Sequence, residues 1–503
     1  MTSKRKDVLQ KAMSTVGLNS SVQSLINGNL VDGKGADVRL VDPYTEETLC
    51  IYSDADVTLA EQACYAAQVA QASWANDLSG AARGQVMQRI SLAVLNHLEP
   101  LARIEAIVAG KPIRDCKVEV AKVAEMFAYY AGWADKLHGE VIPVPSGHLN
   151  YILREPLGVV FQITPWNAPV FTAGWQIAPA IATGNGVVIK PSELTPLTTV
   201  ALVTLAEAAG LPKGLVNVLC GLGPTAGLAA IEHPAVRKII FVGSPETGRR
   251  VATVAAAALK PVVLELGGKS ANIVFDDANI EHACLGAQAA IFSGAGQSCV
   301  AGSRLLVHQA VQAQLVDMLS AGMNKIQLGD PLDEATQVGP ISNAKQYAHV
   351  MGMIEQAVTD GASVLSRSEK QRQGYFVPPT ILEGLGNTAK AAQEEIFGPV
   401  VAAIPFEDEA EAIALANDTA FGLAGAVWTG DGSRAHRMAA AVRAGTFWIN
   451  SYKAIHVSSP FGGSLNSGFG RSSGMDGLME YTSAKSVWLD SAATPRIAFG
   501  YVS

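Results

Sequence analysis

Short, almost continuously apolar runs alternate with alanine-rich stretches along most of this chain, and that alternation restricts the fold more than any other feature. The runs at 158–163 (GVVFQI), 186–190 (GVVIK), 215–219 (LVNVL) and 238–242 (KIIFV) are too short for helices, and they lack the every-second-residue pattern of a half-exposed strand. A strand of that kind needs cover on both faces, as in a parallel sheet flanked by helices. Helical segments such as 196–209 separate the runs, which is the βαβ pattern of an open, doubly wound sheet. A second series at 270–275 (SANIVF), 304–308 (RLLVH), 400–406 (VVAAIPF), 425–429 (GAVWT) and 446–450 (TFWIN) predicts a second α/β domain. The helical stretch 57–98 and the extended segments 150–156 (NYILREP) and 485–490 (KSVWLD) fit neither series, and the last two read as excursions that pair outside the domains.

Composition narrows the function. The chain has 503 residues, 49% of them apolar, enough for several buried cores and too apolar for a disordered chain. Lys and Arg number 37 against 45 Asp and Glu, a formal charge of −8, and no basic run follows Lys4-Arg5-Lys6, so nucleic acid is not an expected partner. Residues 156–189 carry no charge and exceed the length of a membrane span, but Pro165, Pro169, Pro179, Asn167, Gln176 and Asn185 interrupt them, so they read as protein interior. Neither the opening MTSKRKDVLQKAMS nor the closing FGYVS carries a targeting signal, and six scattered cysteines without ligand spacing point to a reducing, cytoplasmic setting with no metal.

Two glycine-rich turns approach, without meeting, the GxGxxG dinucleotide fingerprint: Gly221 to Gly227 after LVNVL, and Gly243-Ser244 to Gly248 after KIIFV. The second is the better phosphate candidate, because bare N–H groups at a helix start suit a pyrophosphate. Cys299 lies in a charge-free segment beside Gly294, Gly296 and Gly302, which permit close approach by a ligand. A buried cysteine is ordinarily a small core hydrophobe. Glu265, however, ends the apolar run VVLEL one βα unit earlier, where a carboxylate is either paired or working. Asn167 in ITPWNAP adds an amide suited to an oxyanion.

ITPWNAP (163–169), IKPSELTP (189–196), FVGSPETG (241–248), ELGGKS (265–270), GQSCVAGSR (296–304), EEIFGPV (394–400) and PFGG (460–463) stand in an order that resembles the aldehyde dehydrogenase superfamily from INGNLVDG (26–33) to YTSAKSV (481–487). The resemblance implies a hydrolytic oxidation of aldehydes to acids. Cys299 would attack the carbonyl, its thiol pKa lowered locally. Asn167 and the Cys299 backbone N–H would hold the oxyanion, and Glu265 would act as base for thioester hydrolysis. For the cofactor it points to Lys190 and Glu193 at the adenosine ribose, Ser244 at the pyrophosphate, Glu395 and Phe397 at the nicotinamide ribose and Trp166 alongside, with Ile163, Thr164, Gly223 and Gly243 completing the crevice. Glu193 favours NAD over NADP, because a carboxylate repels a 2′-phosphate.

The same resemblance divides the chain into an NAD-binding domain (1–137 and 157–267), a catalytic domain (268–466) and an oligomerisation arm with a terminal strand (138–156 and 467–503), giving a homo-dimer or homo-tetramer. It places Lys122, Phe171, Thr172, Trp175, Ser298, Val300, Ile455, His456 and Phe461 along a substrate tunnel. Lys122, Lys453 and His456 would make its mouth cationic and favour an acidic, semialdehyde-type substrate. Many relatives have a Lys where this chain has Gln176 and a Glu where it has Ser472, which puts the proton route from the base in doubt. Two alternatives remain: a CoA-acylating enzyme, disfavoured by the presence of Glu265, and a non-catalytic binding or structural protein on the same fold.

Overall fold

The computed structural model describes residues 2–145, 147–367 and 373–491. The closing FGYVS, and with it residues 492–503 of the expected terminal segment, lie outside the described residues.

Two large sheets organise the molecule. The first runs, edge to edge, Gly468–Phe469, Val262–Glu265, Val236–Val242, Val159–Ile163, Gly186–Lys190, Val216–Val218, Ser24–Ile26 and Asn29–Val31. Its five central strands are mutually parallel and include all four runs of the first sequence series. The chain builds outward from Val159–Ile163 in one direction, then returns to lay Val236–Val242 on its other side. The order therefore reverses between these two strands, and a crevice opens beyond their carboxyl ends.

Continuous apolarity is matched by cover on both faces. Val159, Phe161, Val188, Ile239 and Phe241 pack on Leu59, Ala60, Ala63 and Ala67 of the helix Val57–Asn76. Val160, Val187, Ile189 and Ile240 point the other way into a core shared with Val86, Met87, Ile90 and Val94 of the helix Gly80–Asn96. The stretch 57–98, expected to belong to neither sheet, is thus corrected: Ser79 caps a second helix, and the two helices serve opposite faces of the first sheet. The charge-free stretch supplies two central strands and the almost wholly buried helix Pro169–Ala182. No described helix is long and apolar enough to cross a membrane.

The second sheet runs Ser363–Ser366, Thr380–Glu383, Val400–Phe406, Arg304–His308, Ala271–Val274, Ala424–Trp428 and Thr446–Ile449, parallel except at the first edge. All five expected strands are present, and the first two are additions. The extended segments pair with each other: His148–Pro156 lies antiparallel to Thr482–Asp490, with Glu140–Ile142 on its other side. By that register Val141, Leu149, Tyr151, Leu153, Val487 and Leu489 share one face, of which Val141, Leu149, Leu153 and Leu489 are exposed.

Candidate active site

The loop bearing Cys299 leaves the helix Ile280–Ile291 through three consecutive left-handed residues, Gly294 (φ 64°), Ala295 (φ 54°) and Gly296 (φ 70°). At Gly296 a Cβ would lie 2.0 Å from the Gly398 carbonyl oxygen, so only glycine fits. The turn aims the thiol back towards the first sheet. Four of the six free cysteines are buried, whereas Cys299 and Cys50 retain some exposure.

Two further segments meet this loop. Beyond the end of Val262–Glu265 the backbone passes so close that a Cβ on Gly268 would lie 2.5 Å from the Cys299 carbonyl oxygen. The turn after Val159–Ile163 brings in Asn167, whose Nδ2 donates to the Gln297 carbonyl at 2.9 Å. An amide nitrogen carries two hydrogens, so one remains for an incoming oxygen. Arg304, which sequence reasoning passed over, locks the assembly from behind. Its buried guanidinium donates to the carbonyls of Lys269, Leu415 and Ala416 and to the Asn387 side chain. An arginine opening an otherwise apolar strand was the available signal.

Glu265 is 4% exposed. Its Oε1 accepts from the Ser472 hydroxyl at 3.0 Å, while Oε2 is buried without a partner. Burial pushes its carboxyl up to about 8. Glu395, whose Oε1 accepts from the Gly268 N–H at 3.0 Å, is likewise pushed up, to about 7. The expectation of a locally lowered thiol is corrected: burial first, then the carboxylates of Glu395 and Glu265, push Cys299 up to about 12. The two carboxyls are raised mainly by their own burial, and both in turn hold the Cys299 thiol towards its neutral form.

The crevice at the strand reversal collects the residues assigned to a dinucleotide. Ile163 pairs in register with Lys190 and Phe241, and the Thr164 N–H donates to the Lys190 carbonyl. The Lys190 ammonium is buried, donates to the carbonyls of Pro191 and Gly221, and stands 4.0 Å from Glu193, so it is not a surface ion pair. Tyr52 fixes the Glu193 backbone through its carbonyl. Where a Cβ on Gly223 would sit there is open space. Gly243 leads to Ser244, the N-cap of the helix Pro245–Ala257, whose hydroxyl accepts from the Thr247 N–H, so a helix start follows directly on the end of Val236–Val242. Trp166 and Phe397 meet edge to face at 5.4 Å, the latter in left-handed backbone (φ 55°). A carboxylate beside a buried ammonium, open space over glycine and a capped helix start are the donors and room that a dinucleotide requires.

The tunnel residues divide. Phe171, Trp175 and Phe461 form one aromatic wall, with ring centroids 5.4 and 5.0 Å apart, backed by buried Thr172 and Val300. Ser298 is half-buried next to Cys299, and Ile455 and His456 are exposed. The expected ring of three cations is corrected. Lys122 pairs with Glu125 at 2.5 Å and His456 lies 2.9 Å from the same carboxylate, so both lean on one acidic group rather than standing free at the opening. Lys453 differs. It sits in left-handed backbone (φ 59°), its ammonium lies near the Cys299 thiol and Asp115, and burial brings it down to about 8.

An α/β crevice with a cysteine, a buried carboxylate and an amide gathered near it is the architecture of a nucleotide-linked enzyme, and comparison with known proteins makes the class specific. Residues 30–487 match the model of the aldehyde dehydrogenase family, and the chain belongs to that family of oxidoreductases. It is 40% identical over 473 residues to betaine aldehyde dehydrogenase of Bacillus subtilis, covering 92% of this chain and 96% of that protein. It is 39% identical over 478 residues to (Z)-2-((N-methylformamido)methylene)-5-hydroxybutyrolactone dehydrogenase of Acinetobacter baylyi, with coverages of 94% and 98%. Among solved structures, PnpE of Pseudomonas sp. WBC-3 in complex with nicotinamide adenine dinucleotide superposes with TM-score 0.92 at 42% identity, over 95% of this chain and 99% of that one. Betaine aldehyde dehydrogenase of Staphylococcus aureus in complex with NAD+ gives TM-score 0.93 at 35% identity, over 98% of each chain.

Proposed function

We propose that this chain oxidises an aldehyde to its carboxylic acid with NAD, through a cysteine-bound intermediate. The observation that carries the reading is the meeting of Cys299, Glu265 and Asn167 at the mouth of the dinucleotide crevice. The Cys299 thiolate adds to the aldehyde carbon, and the resulting oxyanion is held by the Asn167 amide and the Cys299 backbone N–H. NAD, when bound, takes up the hydride. Lys190 and Glu193 would hold its adenosine ribose, the helix start at Ser244 its pyrophosphate, and Glu395 the second ribose. Glu265 then removes a proton from the water that cleaves the thioester, which a carboxyl near 8 does increasingly well as pH rises. Six free cysteines accord with a reducing, cytoplasmic setting. The uncovered apolar face of the arm is where a second copy of the chain packs, giving the homo-dimer or homo-tetramer.

Glu193 sets the cofactor preference. Its replacement by Ala narrows the NAD over NADP ratio of kcat/KM by about tenfold or more, chiefly through cofactor KM, because like-charge repulsion of the 2′-phosphate is removed. An unchanged ratio removes Glu193 from the ribose site.

The substrate is an aldehyde bearing a distal acidic group, recognised by Lys453, the tunnel cation that no carboxylate neutralises at salt-bridge distance among the described residues. A second reading rests on the aromatic wall of Phe171, Trp175 and Phe461, which suits a quaternary ammonium aldehyde of the kind named for the two betaine relatives. The two readings separate in kcat/KM for a semialdehyde acid, its uncharged analogue and betaine aldehyde. Wild type prefers the acid by about tenfold. That preference fades as pH rises through about 8 and the ammonium is lost. Lys453→Met abolishes it, and Lys122→Met, already paired, leaves it nearly intact. A preference for betaine aldehyde, or an acid preference untouched in Lys453→Met, overturns the acidic reading.

A further inference from the structure

We propose that Asp54 is a second determinant of the preference for NAD: a buried carboxylate that shapes the Gly221–Gly227 turn and, together with Glu193, keeps Lys190 from serving as counter-ion to a 2′-phosphate. This role rests on the reading of Lys190 and Glu193 as the adenosine-ribose site, and it adds to that site a residue from a remote part of the chain.

Asp54 follows the strand Thr48–Ser53 and precedes Asp56, the N-cap of the helix Val57–Asn76. Its backbone is held on both sides: the N–H donates to the Ala36 carbonyl at 2.8 Å, and the carbonyl accepts from the Gly35 N–H at 2.9 Å. The residue is 1% exposed, and a carboxylate so placed needs donors. It finds two on the glycine-rich turn, the Leu222 N–H at 2.6 Å from Oδ1 and the Thr225 hydroxyl at 2.5 Å from Oδ2. Neither donor is charged, so neither cancels the charge of the carboxylate. Gly223–Gly227 is a single wide helical turn whose own N-cap residue, Leu222, offers no side-chain cap. Asp54, 168 residues before Leu222, fixes its start instead.

The turn presents Gly223, Pro224 and Thr225 outward, with open space above Gly223. It also meets the ribose corner from behind. The Gly221 carbonyl accepts from the Lys190 ammonium at 2.8 Å, while a Cβ on Gly221 would lie 2.3 Å from Asp54 Oδ1. One glycine therefore separates the ammonium from the carboxylate, and only glycine fits there. Glu193 stands 4.0 Å from the same ammonium. Burial lowers the Lys190 ammonium, and Glu193, Cys220 and Asp54 each draw it back up.

An enzyme that accepts NADP sets a free cation against the 2′-phosphate, whose charge near neutral pH is about −1.5 to −2. Here the cation is already engaged. Two of the three ammonium hydrogens go to the carbonyls of Pro191 and Gly221, and two carboxylates share its charge. A 2′-phosphate brought to this corner meets more negative than positive charge, in surroundings too buried for water to screen it fully. A 2′-hydroxyl meets no such opposition. Removal of Glu193 alone leaves Asp54 in place, so Glu193→Ala narrows the preference without reversing it.

The experiment titrates 5′-AMP and 2′,5′-ADP, which carry a 2′-hydroxyl and a 2′-phosphate on the same adenosine ribose, into wild type, Asp54→Asn, Asp54→Ala, Glu193→Ala and the Asp54→Asn/Glu193→Ala double variant by calorimetry. Asp54→Asn removes the charge but keeps an acceptor for the Leu222 N–H, and the Thr225 hydroxyl turns to accept from the new amide. Its Kd for 2′,5′-ADP falls about fivefold relative to that for 5′-AMP, the double variant exceeds Glu193→Ala by a similar factor, and both gains shrink at high salt. Asp54→Ala, which frees the turn, weakens both nucleotides by about tenfold. The Asn variant decides the question even where Asp54→Ala does not fold. A wild-type ratio of the two Kd values in Asp54→Asn, with the ratio changed in Glu193→Ala, overturns the role of Asp54 and leaves the ribose site standing. Ratios unchanged in both variants overturn the placing of the ribose itself.

Discussion

Replacing Cys299 by Ala abolishes NADH formation from every aldehyde, with a loss on the order of 10⁴-fold or more, while NAD still binds and the protein still folds. The contrast follows from where the sulfur sits. It belongs to a loop whose path is set by Gly294 to Gly296 and by Arg304, none of which touches the thiol, so its removal leaves the backbone supported. The adenosine-ribose and pyrophosphate groups, Lys190, Glu193 and Ser244, lie on the other sheet, and Glu395 is on a different segment from the thiol. Only bond formation to the substrate depends on that atom. Retention of even a tenth of wild-type turnover would mean that the carbonyl is not attacked by Cys299. The same variant excludes the non-catalytic alternative if wild type turns over, and a wild-type requirement for CoA would restore the acylating one.

Glu265→Gln separates the two halves of the reaction. Loss of the base spares thioester formation, so one NADH per active site, or about that, appears in a burst. Hydrolysis then stalls, with steady-state turnover lower by about 10²–10⁴-fold. Burst and steady state reduced together would instead make Glu265 the acceptor of the thiol proton, a role that a thiol pushed up to about 12 does require of some neighbour. The pH dependence carries a definite sign. Burial raises the Glu265 carboxyl to about 8, so hydrolysis strengthens as pH climbs through that value and fails below it as the base becomes protonated.

The parallel strands were legible in the chain because burial on both faces leaves no polar alternation: Val187, Val188 and Ile189 point into different cores and are apolar alike. The same rule hid the strands at Ser363–Ser366 and Thr380–Glu383, where the sheet edge exposes Ser363 and Ser366 and the run is no longer continuous. The helices of 57–98 were visible as helices, yet their pattern alone did not say which sheet they cover; only the resemblance grouped them with the NAD-binding segments. The small residues Ala60, Ala63 and Ala67 that let one of them lie close on the sheet say nothing about which sheet. Within the site, residues that carry chemistry by their type, Cys299, Glu265 and Asn167, could be named from the sequence, and their convergence depends on a strand reversal that no local pattern encodes. The carboxylate among the charges at the tunnel mouth went unseen for a related reason. Glu125, one helical turn from Lys122, also meets His456 from a distant loop, and only the folded chain reveals that one carboxylate answers two cations. Ser473 is the extreme case, since nothing in a serine announces backbone that glycine would ordinarily occupy.

Gly468–Phe469 closes the outer edge of the first sheet against Leu264 and Glu265, antiparallel to them. These two residues leave the ribosome roughly two hundred residues after the strand they cover, a delay of about 10–40 s at ordinary elongation rates. Throughout that interval the nascent nucleotide-binding half presents an unpaired edge at the very strand that carries its carboxylate, the kind of surface on which chaperones act and neighbouring chains aggregate. A message truncated between the strand Thr446–Ile449 and this point would yield a chain with its thiol loop and most of both sheets encoded, but with the Glu265 strand left open. The Glu265 strand is therefore completed by one of the last-made segments described, not by its own neighbours in the chain.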